Sequence, residues 1–242
     1  SNGIVNSQMY SISNAQTTSD LVLAGLQDNG SIGYDQGTWE ALTPGDGMMC
    51  HVDPTNTNYL YTAYANGVLY RITVTPPSIT TISDNLPGGP QTGEWVTPYL
   101  LDPNNPSVIF AGYEGLYRSA NRGDTWTLKG TPVAGVKMNY LAVAPTNSNT
   151  IYAGYLDGLF RSTNGGTSWT NMTSGLPVGS VYISGIQVDP TDANGVLVTM
   201  SGYSAGDKVF VSTNGGTTWA NASGSGLPNL PVNCAEIDPT SG

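Results

Sequence analysis

The sequence predicts an all-β fold, a β-propeller built of four-stranded antiparallel blades, and three observations predict it. A glycine-rich phrase ending on tryptophan recurs as "SANRGDTW" (119–126), "STNGGTSW" (162–169) and "STNGGTTW" (212–219). A proline that closes an apolar stretch, usually as Asp-Pro, recurs at 54, 103, 145, 190 and 239, a period of 42 to 49 residues. The 242 residues include 31 Gly and 16 Pro, which supply positive or preset φ in tight turns. One four-stranded unit per period of about 45 residues is the spacing of propeller blades.

Each unit opens with a strand apolar on both faces, such as "YLL" (99–101) or "YLAVA" (140–144). That pattern suits a strand packed between two neighbouring sheets. Proline then stops ladder pairing, and a Thr/Asn/Ser turn follows. A second strand of the "IYAG" type ends at Gly, and a third of the "GLYRS" type follows it. The glycine-rich phrase turns the chain into a fourth strand that begins at Trp. The predicted complete blades are 7–45, 46–90, 91–134, 135–178 and 179–229, with 230–242 as the first strand of a sixth. A shortened phrase, "YDQGTW", ends at Trp39, and the next unit, "VLYRITVTPPSITTIS" (68–83), has no Gly-x-Thr-Trp at all. The opening "SNGIVNSQ" looks like the tail of an earlier loop. The chain therefore reads as a piece of a longer protein, or as a domain completed by other residues or another copy. An open arc would leave apolar blade faces for self-association.

Within the phrase, Gly123, Gly166 and Gly216 suit positive φ. Asn121, Asn164 and Asn214 suit side-chain bonds to the turn's own amides. Trp126, Trp169 and Trp219 bring a large apolar ring to anchor the hairpin.

Composition removes several function classes. Net charge is −10, with seven Lys and Arg in all, so nucleic acid is not an expected partner. No apolar run approaches the roughly 18 residues of a membrane span, and membrane insertion is not expected. A hydrophobic content of 38% fills a core, unlike that of a disordered chain. No cofactor is expected. Cys50 and Cys234 are too few for a disulfide framework or metal site, and their offset in repeat register points them to opposite strand faces. His51 is the single histidine. No Gly-x-Ser-x-Gly elbow accompanies it, and it reads as an interblade packing residue.

The phrases resemble the Asp-box, or BNR repeat, Ser-x-Asp-x-Gly-x-Thr-Trp, of sialidases, xyloglucanase-type two-propeller glycosidases and sortilin-like receptors. Ser119, Ser162 and Ser212 match the first position, and Asn121, Asn164 and Asn214 take the Asp position. "GLQDNGS" (25–31) with "GDGMMCHVDP" (45–54) also resembles large secreted BNR proteins of Bacteroidetes-type bacteria. A sialidase resemblance would imply three arginines clamping a carboxylate, with a Tyr nucleophile and its Glu partner. Arg71, Arg118 and Arg161 instead occupy one repeat position, which predicts blade-to-blade contacts rather than convergence on the axis. A xyloglucanase-like resemblance would imply one catalytic Asp on each of two propellers. The candidate here is Asp28, although that family's Asp-Val-Gly-Gly-like stretch is absent. Asp28-Asn29-Gly30 reads first as a tight turn, ahead of ligand contact, cation binding with Asp46 or catalysis.

The loops joining strands two to three and strand four to the next blade share one face. Tyr64, Tyr113, Tyr155 and Tyr203 recur there, near Asn66, Glu114, Asp157 and Asp207, with Glu94 and Trp95 on the same rim. Aromatic rings beside carboxylates and amides suit sugar rings; a Tyr at one repeat position suits the wedge between blades better still. The residues favour a non-catalytic binding or scaffold module of a secreted or surface-attached bacterial protein, binding carbohydrate or protein on this face. The alternative is one part of a glycoside hydrolase.

Overall fold

A computed structural model of the chain describes residues 7–238. Among the described residues, twenty strands form five four-stranded sheets, each with its strands in sequence order. The first holds β1 (Met9–Asn14), β2 (Leu21–Leu26), β3 (Gly30–Asp35) and β4 (Thr38–Thr43). The second holds β5 (Cys50–Val52), β6 (Tyr59–Tyr64), β7 (Val68–Thr73) and β8 (Ser78–Thr81). The third holds β9 (Tyr99–Asp102), β10 (Asn105–Gly112), β11 (Leu116–Ser119) and β12 (Thr127–Gly130). The fourth holds β13 (Tyr140–Ala144), β14 (Asn147–Tyr155), β15 (Gly158–Ser162) and β16 (Thr170–Asn171). The fifth holds β17 (Ile183–Val188), β18 (Val196–Met200), β19 (Val209–Ser212) and β20 (Ala220–Asn221). No helix among the described residues is long and apolar enough to cross a membrane.

The chain divides into two compact units. One holds the first two sheets with Pro106–Tyr113 and Arg118–Thr127; the other holds Asp102–Asn105, Glu114–Tyr117 and the chain from Leu128 onward.

In the first unit, Leu21, Leu23, Cys50, Val52, Leu60 and Ile72 form a buried cluster between the first two sheets. The Ser11 and Ser13 hydroxyls accept the Cys50 and Val52 amides at 3.3 and 3.0 Å, which tie β1 to β5. The second and third sheets are joined by the repeated hairpin. Trp126 Nε1 donates to Ile82 O at 2.9 Å. Gly123, at φ +90°, lies where a Cβ would come within 2.6 Å of the Ile82 side chain. The hairpin therefore clamps the sheet before it, not only its own blade. Arg71 reaches the same hairpin, donating to Arg122 O at 2.9 Å and Asp124 Oδ1 at 2.8 Å. His51 Nε2 bonds Tyr99 O at 2.9 Å, and the two rings meet edge-on at 4.8 Å. Burial pushes the His51 pKa down, only partly opposed by the Tyr99 carbonyl, so the ring is neutral at pH 7.

The turn chemistry inside each hairpin is the same three times. Ser119 Oγ accepts the Gly123 amide at 2.8 Å, and Asn121 Oδ1 accepts the Thr125 amide at 3.0 Å. Ser162 with Gly166 and Asn164 with Ser168 repeat it, as do Ser212 with Gly216 and Asn214 with Thr218.

In the second unit, Trp219 Nε1 donates to Met172 O at 2.9 Å, and a Cβ on Gly216 would come within 2.9 Å of Met172. Arg161 donates to Asn194 at 2.7 Å and lies against Gly215. Trp169 lies against Gly130, and its indole N–H is buried without a partner. Trp39 of the first sheet is half exposed and packs on Tyr34 of its own sheet.

Sequence reading assigns the Asp-Pro signal to proline alone, and the structure adds the aspartate. Asp53 Oδ1 accepts the Thr55 amide and hydroxyl and the Asn56 amide, at 2.8 to 3.1 Å. Asp189 does the same for Thr191 and Asp192, and Asp102 for Asn104. Asp53 is fully buried and ion-paired with Arg122 of the third-sheet hairpin. The expected strand over 230–242 does not form in 230–238. Pro231 has no amide to pair, and the segment is held by isolated bonds instead of a ladder: Val232 N donates to Met200 O at 3.3 Å, Ser184 Oγ to Val232 O at 2.5 Å and Gln187 to Glu236 at 2.9 Å. Residues 1–6 and 239–242, which carry the rest of the expected terminal features, lie outside the described residues. Cys50 is buried and Cys234 exposed, both as free thiols.

Two expectations follow for stability. Trp126→Ala removes a buried ring and is expected to cost about 3–5 kcal/mol in urea unfolding, whereas Trp39→Ala costs less than about 1 kcal/mol. Arg122→Ala leaves Asp53 buried without its cation and costs about 3 kcal/mol at pH 7. Burial pushes the Asp53 pKa up, but the Arg122 and Thr55 hydrogen bonds outweigh it and hold the carboxyl below its ordinary value of 3.8. Its stabilisation is thus fully present above that value and lost as pH falls through the lower folded value. The stability gap between wild type and Arg122→Ala therefore narrows below that range, measurable by denaturation at pH 7 and pH 3.

Candidate functional site

Short turns build the loop face of the first unit. Asp28 sits at φ +59° in the turn between β2 and β3, and its amide donates to Asp46 Oδ1 at 3.0 Å. Asn29 Nδ2 closes the same turn on Gln27 O at 2.9 Å. Gly45, next to Asp46, lies against the Tyr64 ring, where a Cβ would come within 2.6 Å of it. Asn66, at φ +61°, exchanges backbone bonds with the long loop: its amide donates to Trp95 O at 3.2 Å and its carbonyl accepts Gly93 N at 2.9 Å. Trp95 Nε1 then donates to the Tyr10 hydroxyl at 3.3 Å. Linked contacts thus run from Asp28 through Asp46, Tyr64 and Asn66 to Trp95 and Tyr10.

Exposure sorts the predicted tyrosines into two groups. Tyr64 is 40% exposed, Trp95 50% and Tyr203 71%, whereas Tyr113 and Tyr155 are each 2% exposed. Tyr113 spans its joint, donating its hydroxyl to Gly67 O at 2.5 Å. Tyr155 meets Phe160 edge-on at 5.6 Å, and burial pushes its phenol up to about 12. These two rings fill wedges, the alternative that the sequence leaves open for this position. Glu94 is half-buried, and its carbonyl holds the Thr97 hydroxyl at 2.8 Å. Glu114 is exposed and accepts the Gly135 amide at 2.7 Å. Asp157 is exposed in the turn before β15. Asp207 accepts the Ser204 hydroxyl at 2.7 Å beside Tyr203.

The structure therefore gathers Asp28, Asp46, Tyr64 and Trp95 along one rim, and leaves Tyr113 behind it as packing. Sequence reasoning missed Tyr10, because β1 carries no repeat signal that marks which side chain reaches the rim. Among the described residues no three His, Cys, Asp or Glu side chains come together as a metal cage. Two half-exposed rings beside carboxylates and amides can stack on a flat ligand face and hydrogen-bond its edge.

No family model matches the sequence, and no curated protein matches it. Solved structures resemble the fold. An ancestral GH74 enzyme superposes with a TM-score of 0.72 at 18% identity, over 92% of this chain and 32% of that one. YCF48, solved bound to a D1 peptide, gives 0.61 at 14% identity, over 88% and 66%. The GH74 enzyme of Niastella koreensis gives 0.55 at 20% identity, over 89% and 45%. These likenesses establish the β-propeller fold of four-stranded antiparallel blades. The chain spans about a third of the length of the ancestral GH74 enzyme.

Burial makes a direct expectation for reagents that attack accessible phenols. Brief tetranitromethane treatment followed by peptide mass mapping should nitrate Tyr203 and Tyr64 and spare Tyr113 and Tyr155. Full denaturation should make all four reactive, and equal reactivity in the folded protein would contradict the burial pattern.

Proposed function

We propose that this chain is a non-catalytic binding or scaffold module of a secreted or cell-surface bacterial protein, taking a carbohydrate or protein ligand on the loop face. The reading treats the repeated hairpins as Asp-box repeats whose role is to join blades, which leaves the loop face for recognition. The observation that carries it is the exposed Trp95, hydrogen-bonded to Tyr10 and running into Tyr64, Asp46 and Asp28. Exposed aromatic groups held in place by backbone and side-chain bonds lose little entropy on binding. The GH74 enzymes and the peptide-bound YCF48 are propellers of this kind, and their ligand classes, glycan substrate and peptide, are the two offered here.

A second reading, one part of a glycoside hydrolase, is favoured by the exposed Asp28 carboxylate beside Asp46 on that rim. Acid and base carboxylates must flank one bond, about 5–9.5 Å apart. In this reading Asp28 supplies at most one of the two.

A glycan array and a pull-down from the native cell surface test the first reading, with Trp95→Ala as the control. The expected result is a ligand whose binding falls by about 30-fold in the variant; no ligand on either assay would overturn it. Hydrolysis of xyloglucan by the full-length protein, lost in Asp28→Ala, would establish the second reading, and unchanged hydrolysis in that variant would exclude Asp28.

A further inference from the structure

Register relates every joint of the first unit to those of the second. Arg161 pairs with Thr170 and Val211 with Ala220, which sets Trp169 opposite Ser162 and Trp219 opposite Ser212. In the second sheet the same two positions are Ile72 and Ile79. Ile79 is 54% exposed and fills nothing. The arginine that reaches forward to the next hairpin, Arg71 or Arg161, stands three residues into its strand from the turn pairs Tyr64–Val68 and Tyr155–Gly158. In the first sheet the corresponding residue, counted from the pair Leu26–Gly30, is Gly33. The joint between the first and second sheets therefore lacks both halves of the clasp, the arginine on one side and the glycine–indole hairpin on the other.

What remains there is an open groove of about 570 Å³, within the size range of ligand sites. Leu21, Leu42, Leu60 and Ile72 make its apolar wall. Leu42 stands where Ile82 and Met172 stand in the clasped joints. Each of the three precedes a hydroxyl residue that accepts the amide of strand three: Thr43 for Ser31, Ser83 for Leu69 and Thr173 for Leu159. Ile82 and Met172 are the residues whose carbonyls accept the Trp126 and Trp219 indoles. The rim carries Asp35 and Glu40, both exposed, and an adjoining hollow of about 660 Å³ adds Asp20. No Lys or Arg lines either hollow.

We propose that this groove on the hairpin side of the first joint is a docking site for a tryptophan side chain carried by a basic peptide of a partner protein. The indole takes the place that Trp126 and Trp219 take in the clasped joints, and flanking Lys or Arg side chains face Asp35, Glu40 and Asp20. The site is separate from the loop rim, so it stands or falls independently of the ligand proposed there.

The test uses fluorescein-labelled peptides in anisotropy titrations: a hairpin-like peptide with one Trp and flanking lysines, its Trp→Ala form, and a form flanked by glutamates. The Trp–Lys peptide is expected to bind at least about 30-fold more tightly than the Ala form, and to weaken with added salt. Gly33→Trp fills the groove and abolishes binding. If that variant fails to fold, Asp35→Asn with Glu40→Gln, both on the surface, decides the question by weakening the lysine peptide while sparing the glutamate one. Equal binding of the Trp and Ala peptides, no binding of either, or undiminished binding by the variants would overturn the proposal. So would chemical-shift changes at Gly33 and Leu42 with cello-oligosaccharides but not with the peptide, which would make the groove a glycan cleft.

Discussion

One contact recurs at two of the joints between sheets: an indole N–H donated to a backbone carbonyl of the preceding sheet, over a glycine that lets the two backbones close. Trp126 on Ile82 and Trp219 on Met172 are the same interaction 93 residues apart. Burying one indole removes ~150–250 Å² of surface, about 4–6 kcal/mol at the usual apolar coefficient. Its hydrogen bond adds about 1 kcal/mol. One repeat unit cannot bury its hydrophobic face alone, so the joints between sheets carry much of the stability. The glycine is a steric condition of the same contact. At Gly123, Gly166 and Gly216 any side chain would enter Ile82, Leu116 or Met172. The phrase that looks in sequence like a local turn is therefore read by its neighbour.

Most of the strand order was legible because turn chemistry is local. Gly, Pro, Asn and Ser mark every corner, and the strands between are short and alternate or run apolar. The common position of Arg71, Arg118 and Arg161 implied contacts between blades; Arg71 and Arg161 each reach the next hairpin or its neighbour, whereas Arg118 lies over Phe110 of its own sheet. What escaped was long-range. Nothing in "HVDPTN" says that Asp53 will be buried against Arg122, 69 residues away, because the same Val-Asp-Pro-Thr letters cap a turn at Asp189, which is only half-buried. The difference lies in the partner: the third-sheet hairpin reads "NRG" where the others read "NGG", and that arginine converts a turn aspartate into a buried ion pair.

The loop face was less legible, for a related reason. A repeat fixes where a residue stands in its own sheet, and burial depends on what the next sheet offers. Tyr64 and Tyr113 share a register position, yet one is open and the other closed. Tyr113 finds the Gly67 carbonyl in front of it and seals the joint. Tyr64 lies on Gly45 at the lip, with one face left to solvent. Tyr10 joined the rim without any repeat signal, through the hydroxyl it offers to Trp95.

A joint that loses its clasp must be held by something else, and the first joint shows what. There the inner strands are stitched by the Ser11 and Ser13 hydroxyls to the Cys50 and Val52 amides, while the Cys50 thiol donates to Leu23 O. Three such bonds at about 1 kcal/mol each, added to the cluster around Leu23, Val52 and Leu60, hold the inner edge. They do nothing for the outer edge, where Gly33 faces Leu42 and no indole arrives. Stability and opening are thus separated along one interface. The stitched edge holds the joint where no ring closes the other edge. Among the described residues the hairpins of the third, fourth and fifth sheets keep the same turn chemistry, and the groove opens at the joint of the first and second sheets, which has neither the arginine nor the indole.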